Sequence, residues 1–185
     1  MNDHTPSDAD KDKNAKNEQP VSDETPLDDF KICLQPKNKN TVFLVCHPDN
    51  PQQRAVKEFL QSLNISCIVT IQKEHPLKPI GQVYHENQDI FFAIVLLNAD
   101  LFSYEREHGN PNTAVMVSRQ KIVFELGYWT ACLGRDKVVA LYYDQKRFRC
   151  PTEICDAMYI PMDKKGAWKA ELKAKLKNTE LNLND

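Results

Sequence analysis

The sequence predicts an α/β fold of flavodoxin-like type, a central parallel sheet of about five strands flanked by helices. Three observations carry that expectation. Short apolar runs rich in β-branched residues recur along the chain, beginning with "TVFLVC" at 41–46, and an unbroken run of this length suits a strand buried on both faces. Stretches with apolar residues at helical spacing separate those runs. Strands joined by helices build a parallel sheet through right-handed crossovers.

Residues 1–40 are rich in Asp, Lys, Asn and Pro and poor in large apolar groups, so they cannot bury enough surface to offset the entropy of ordering. They are expected to form a disordered, mostly acidic arm, with "FKICL" at 30–34 as a segment suited to docking. The folded domain is expected over 41–177, with a short flexible tail at 178–185. After the first strand, "NPQQRAVKEFLQSLN" (50–64) reads as a helix. Pro51 suits its first turn, Asp49 or Asn50 its cap, and Ala55, Phe59, Leu60 and Leu63 its buried stripe. "SCIVTI" (66–71) is the second strand, and "DIFFAIVLLNAD" (89–100) contains the third. A long loop then leads into "SRQKIVFELGYWTACLGRDK" (118–137), where Ile122, Leu126, Trp129 and Leu133 share one helical stripe. "KVVALYYD" (137–144) and "AMYIPM" (157–162) supply a fourth strand and a short fifth edge strand. "KGAWKAELKAKLK" (165–177) closes the domain as a helix, with Trp168 and Leu172 on one side and lysines around them.

Composition narrows the function classes. The chain has 185 residues, 41% hydrophobic and 27% charged, with a net charge of −2, which suits one soluble domain with a full-sized core. No apolar run approaches the roughly 20 residues that span a bilayer, and the N-terminus has no secretory apolar region. No basic stripe or nucleic-acid motif is visible. The expectation is a cytoplasmic protein that binds neither membrane nor nucleic acid. Of the six cysteines, Cys46, Cys67 and Cys132 lie within apolar runs, where free Cys behaves as a small buried hydrophobe. Cys150 and Cys155 are spaced as a two-ligand hook, but no second Cys or His pair follows to complete a zinc site. No metal is expected.

One carboxylate stands out. Glu125 sits in a helix whose other side carries Phe124, Tyr128, Ala131 and Cys132, so that helix lacks a polar back and is expected to be covered on more than one side. Lys121, one turn earlier, is the bland partner, yet Lys before Glu is the weaker i,i+4 order and contributes only a few tenths of a kcal/mol. Burial without a partner raises a carboxyl pKa. In open α/β sheets the ligand lies outside the carboxyl ends of the strands, near the point where strand order reverses. The segments there are "CHPDN" (46–50), "QKEHPLKPIG" (72–81) and the loop 98–120, and Glu125 falls in the first turns of the helix after the last of them.

"FLVCHPD", "FFAIVLLNAD", "SRQKIVFELGYW" and "YIPMDKKGAWKAEL", in this order and spacing, resemble the TIR-like nucleotide-binding family found as effector domains in bacterial cyclic-nucleotide anti-phage systems of CBASS and Pycsar type. The resemblance runs from Thr41 to about Leu176. It implies a TIR fold and, as in active members, an NAD⁺ glycohydrolase that releases nicotinamide, with NAD⁺ as substrate and no cofactor. The catalytic glutamate of the family's FELGY motif falls on Glu125, where a fixed carboxylate would stabilise an oxocarbenium-like ribose. The chain departs from the family pattern in three places. Val45-Cys46-His47-Pro48-Asp49 stands where V-H-G-H-D is usual, Leu77-Lys78-Pro79 where G-R-T is usual, and Lys121 where asparagine is usual. These fall on substrate contacts, not on the framework.

On this reading His47 either lines the pocket or caps the first helix, and Asp49 is either a cap or a ligand contact. Lys78 and Arg119 are candidates for the pyrophosphate, with Arg119 suited to a bidentate grip; their bland alternative is surface charge. Asp100 either faces the ribose or forms a turn. Tyr128 and Trp129 read as core. The resemblance further implies self-association on activation, a defence or stress role, and a separate sensor protein as a candidate partner. The rival reading is a non-catalytic nucleotide-binding or assembly module, and a third is an N-glycosidic transferase acting on nucleosides.

Overall fold

In a computed structural model the described residues are 40–69, 79–87, 89–104, 114–151 and 159–179. Five parallel strands form the central sheet: β1 (Thr41–Val45), β2 (Ser66–Val69), β3 (Ile90–Leu97), β6 (Val138–Tyr143) and β7 (Tyr159–Met162). Their order is β2-β1-β3-β6-β7, so strand order reverses at β1 and β3, and the crevice at their carboxyl ends is where such sheets place ligands. The expected arm, the docking segment at 30–34, and Cys155 lie outside the described residues, as do parts of the expected second and fifth strands.

The apolar runs became the central strands because both of their faces are covered. All five residues of β1 and all eight of β3 are buried, and alternate side chains enter two separate cores. Val42 and Leu44 face one core with Val56 and Leu60 of α1 (Gln53–Ser62) and Trp168, Leu172 and Leu176 of α4 (Ala167–Lys177). Phe43 and Val45 face the other, with Tyr84 of α2 (Ile80–Glu86) and Ile122, Leu126 and Trp129 of α3 (Gln120–Leu133). In α1 the buried stripe includes Val56, while Ala55 and Phe59 pack at its margin. The helix starts at Gln53 after a turn in which the Asn50 Oδ1 accepts from the Gln52 N–H at 2.8 Å; Asn50 is thus the side chain that organises the turn, and Asp49 is not. Gly134, at φ 84°, ends α3 in a backbone conformation that a side chain would strain.

Two expectations need correcting. The segment 98–118 is not a plain loop, because β4 (Leu101–Ser103) and β5 (Val115–Val117) pair antiparallel within it. The backbone of Met116 also bonds Arg147 and Arg149 on its other side. Three-residue strands are too short for sequence alternation to announce them. Nor is α3 covered on more than one side: Phe124 is 64% exposed and Ala131 is exposed, although Tyr128 and Cys132 are half-buried.

Candidate functional site

Three segments meet at the carboxyl rim where strand order reverses: the turn after β1, the end of β3 with Asn98 to Asp100, and the first turns of α3. A chain of hydrogen bonds joins them. Asn50 donates through Nδ2 to Asn98 Oδ1 at 2.9 Å, and the Ser118 hydroxyl donates to the Asn98 carbonyl at 2.8 Å. Asn50 and Ser118 are both buried, where an unpaired amide or hydroxyl would be costly, so these bonds set the spacing of the three segments. Sequence reasoning missed this network. Its signal was the pair of turn-forming Asn residues closing β1 and β3, but their pairing across 48 positions is a product of topology.

Glu125 lies in the second turn of α3 and is only 3% exposed. Its Oε1 lies 3.7 Å from the Lys121 ammonium, whereas its Oε2 is buried and, among the described residues, without a hydrogen-bond partner. Burial pushes the Glu125 carboxyl up from its ordinary value, and the Lys121 charge pulls it partly back. The Cys46 thiol, at the end of β1, is within electrostatic reach of this carboxylate. Burial raises that thiol to about 11, against a donated bond from Gln53 Nε2 at 3.3 Å. Cys46 therefore stays protonated and is no thiolate nucleophile near neutral pH.

The other expected residues sort into pairs. His47 and Asp49 share the turn after β1, with His47 Nδ1 accepting from the Asp49 N–H at 3.3 Å and lying 3.8 Å from Asp49 Oδ2. Asp100 and Arg119 face each other, Nε to Oδ2, at 3.6 Å, so the side chains expected at ribose and pyrophosphate form an ion pair with one another. Lys78 lies outside the described residues. Trp129 is fully buried against Phe43, Tyr84 and Tyr128, with ring centroids 4.6, 5.7 and 5.6 Å away, and so belongs to the core. Cys46, Cys67 and Cys150 are free thiols. Among the described residues, no group of three His, Cys, Asp or Glu gathers as a metal site, and no helix is long and apolar enough to cross a membrane.

Comparison with known proteins agrees with this architecture. The uncharacterized protein YuaY of Escherichia coli strain K12 is 27% identical over 139 residues, covering 73% of this chain and 44% of that protein. The chain thus spans less than half the length of this relative. A family model described as "CAP12/Pycsar effector protein, TIR domain" matches residues 41–164, a span that starts at β1, takes in the whole rim with Glu125, and ends just after β7. The chain therefore belongs to the TIR-domain family of CAP12/Pycsar effector proteins, effectors of anti-phage systems.

Proposed function

We propose that this TIR domain is an NAD⁺ glycohydrolase and that Glu125 is its catalytic carboxylate. The observation that carries the reading is the state of Glu125 Oε2: a buried carboxylate oxygen with no hydrogen-bond partner among the described residues, at the carboxyl rim of the sheet. Burying a charge is expensive unless something pairs with it, and a cationic ribose is such a partner. In the reaction the bond between C1′ and the nicotinamide nitrogen breaks, and nicotinamide leaves with the bonding electron pair as a neutral molecule. Positive charge develops on the ribose, beside the carboxylate. Water then adds at C1′ and releases a proton, giving ADP-ribose. The leaving group needs no general acid, so Glu125 acts as an anion that stabilises charge.

At 3% exposure the carboxylate is closed to solvent, so binding has to displace the atoms that cover it. We tie that step to self-association, triggered through a separate sensor protein, because Leu101, Phe102, Tyr104 and Phe124 leave large apolar side chains exposed on the elements that flank the rim. His47, Asp49, Asp100, Arg119 and Lys78 remain the candidates for holding the nucleotide, which for Asp100 and Arg119 means opening their mutual ion pair. The closed carboxylate also favours the second reading, a nucleotide-binding or assembly module without turnover.

Nicotinamide release from NAD⁺, followed over a wide range of protein concentration with size analysis alongside, separates the two. The enzyme reading expects release that rises in specific rate with assembly and disappears in Glu125→Gln. Demonstrated assemblies without release, or unchanged release in Glu125→Gln, overturn it.

A further inference from the structure

The two oxygens of Glu125 stand in different circumstances. Oε1 has the Lys121 ammonium at 3.7 Å, while Oε2 is buried and has no hydrogen-bond partner among the described residues. The pair straddles the protein boundary, since the Lys121 side chain is 44% exposed and that of Glu125 only 4%. On an open helix face an i,i+4 pair in this order contributes little. Here the anion is dehydrated, and without a cation nearby burial favours the neutral acid. Among the described residues, Lys121 is the cation within ion-pair distance of Glu125. The Cys46 thiol, just past β1, packs on the α1 side of the sheet with Gln53, remains protonated and supplies no charge near neutral pH. Of the other rim groups among the described residues, Arg119 pairs with Asp100 and His47 accepts from the Asp49 N–H.

We propose that Lys121 is a positioning residue of this site: it holds Oε1, keeps the carboxylate in its anionic form, and so reserves Oε2 for the hydroxyls or the developing cation of the ribose. This deepens the glycohydrolase reading and rests on it. A lysine suits the task because its flexible stem reaches the buried oxygen from the solvent side while its own charge stays hydrated. The ammonium thus supports the anion without occupying the oxygen that faces the substrate.

Two readouts test it on the full chain with Lys121→Met, Lys121→Gln and Lys121→Arg. The first is the ionisation of Glu125 in the unliganded protein, followed by carboxyl carbon NMR and assigned by the signal lost in Glu125→Gln. The second is the pH dependence of nicotinamide release. Removing the cation should move the Glu125 titration, and the acid limb of kcat with it, upward by about one pH unit. The rate should fall about tenfold on the acid side and recover at higher pH, with Lys121→Arg close to the parent. A merely structural lysine would lower the rate equally at every pH. An unmoved Glu125 titration in both Lys121→Met and Lys121→Gln overturns the proposal, whatever the rates do. A chain without turnover overturns the glycohydrolase reading instead, and the titration still decides whether Lys121 holds the charge.

Discussion

Helices α3 and α4 cover opposite faces of one sheet, and they treat the amphipathic rule differently. In α4, Trp168, Leu172 and Leu176 are buried while Lys169 and Glu171 point outward, and the Asp163 carboxylate accepts from the Trp168 N–H at 3.2 Å near its start. Its large apolar side chains recur every four residues, the stripe that a core-facing helix needs. In α3 two adjacent positions invert it: Phe124 is turned to solvent and Glu125 to the interior. Each inversion carries a cost, dehydration of a carboxylate in one case and exposure of an aromatic ring in the other. Local rules broken side by side in an otherwise consistent fold are where a functional constraint is expected, which is the ground for testing these two positions.

The largest effect should come from breaking the regular helix. Leu172 is fully buried between α4 and the sheet, and truncating such a residue leaves a cavity that the surroundings only partly fill. Leu172→Ala should lower unfolding stability by about 2–5 kcal/mol, read from the denaturant midpoint. Activity per folded molecule should be unchanged well below the melting temperature. A mild loss of stability accompanied by lost activity would mean that α4, too, serves the site.

Changing the inverted carboxylate should act in the opposite sense. Because burial raises the pKa of Glu125 in the folded state, its stabilising contribution is complete below the ordinary carboxyl value and is lost as pH rises through the folded one. Glutamine has no proton to lose. Glu125→Gln should therefore match the parent in acid and exceed it near neutral pH by about 1 kcal/mol, the usual scale of a single stabilising replacement. Melting curves across pH check this. A variant less stable than the parent at neutral pH would show that the Lys121 pair outweighs dehydration.

The contrast also explains what could be read without coordinates. β1 and β3 were legible because both faces are buried, and burial on both sides leaves a continuous apolar run. The α4 stripe was legible because one face packs and the other is solvated. Glu125 was visible as an anomaly because a carboxylate interrupts an apolar helix. What stayed hidden depends on groups distant in sequence. Asn50, Asn98 and Ser118 are ordinary turn residues until the crossovers bring them together, and the pairing of Asp100 with Arg119 depends on the β4–β5 hairpin that lies between them. The helix α2 follows a segment of Pro and charged residues and is only seven residues long, too short for a period to stand out.

The smallest effect on stability, and the most direct probe of the second inversion, lies at Phe124. With 64% of its surface exposed, it contributes little to the fold of a single chain, and Phe124→Lys should change unfolding stability by no more than about 0.5 kcal/mol. Its importance would lie between copies. A ring on the outer face of α3, one residue from Glu125, would gain a partner only when another chain covers that face, and a lysine there would oppose the contact through its hydration and charge. Sedimentation across a concentration series should accordingly show Phe124→Lys shifted toward monomer, with nicotinamide release falling in step while the denaturant midpoint stays in place. Unchanged association would free Phe124 from any role between copies and leave Leu101, Phe102 and Tyr104 as the apolar residues through which chains would meet.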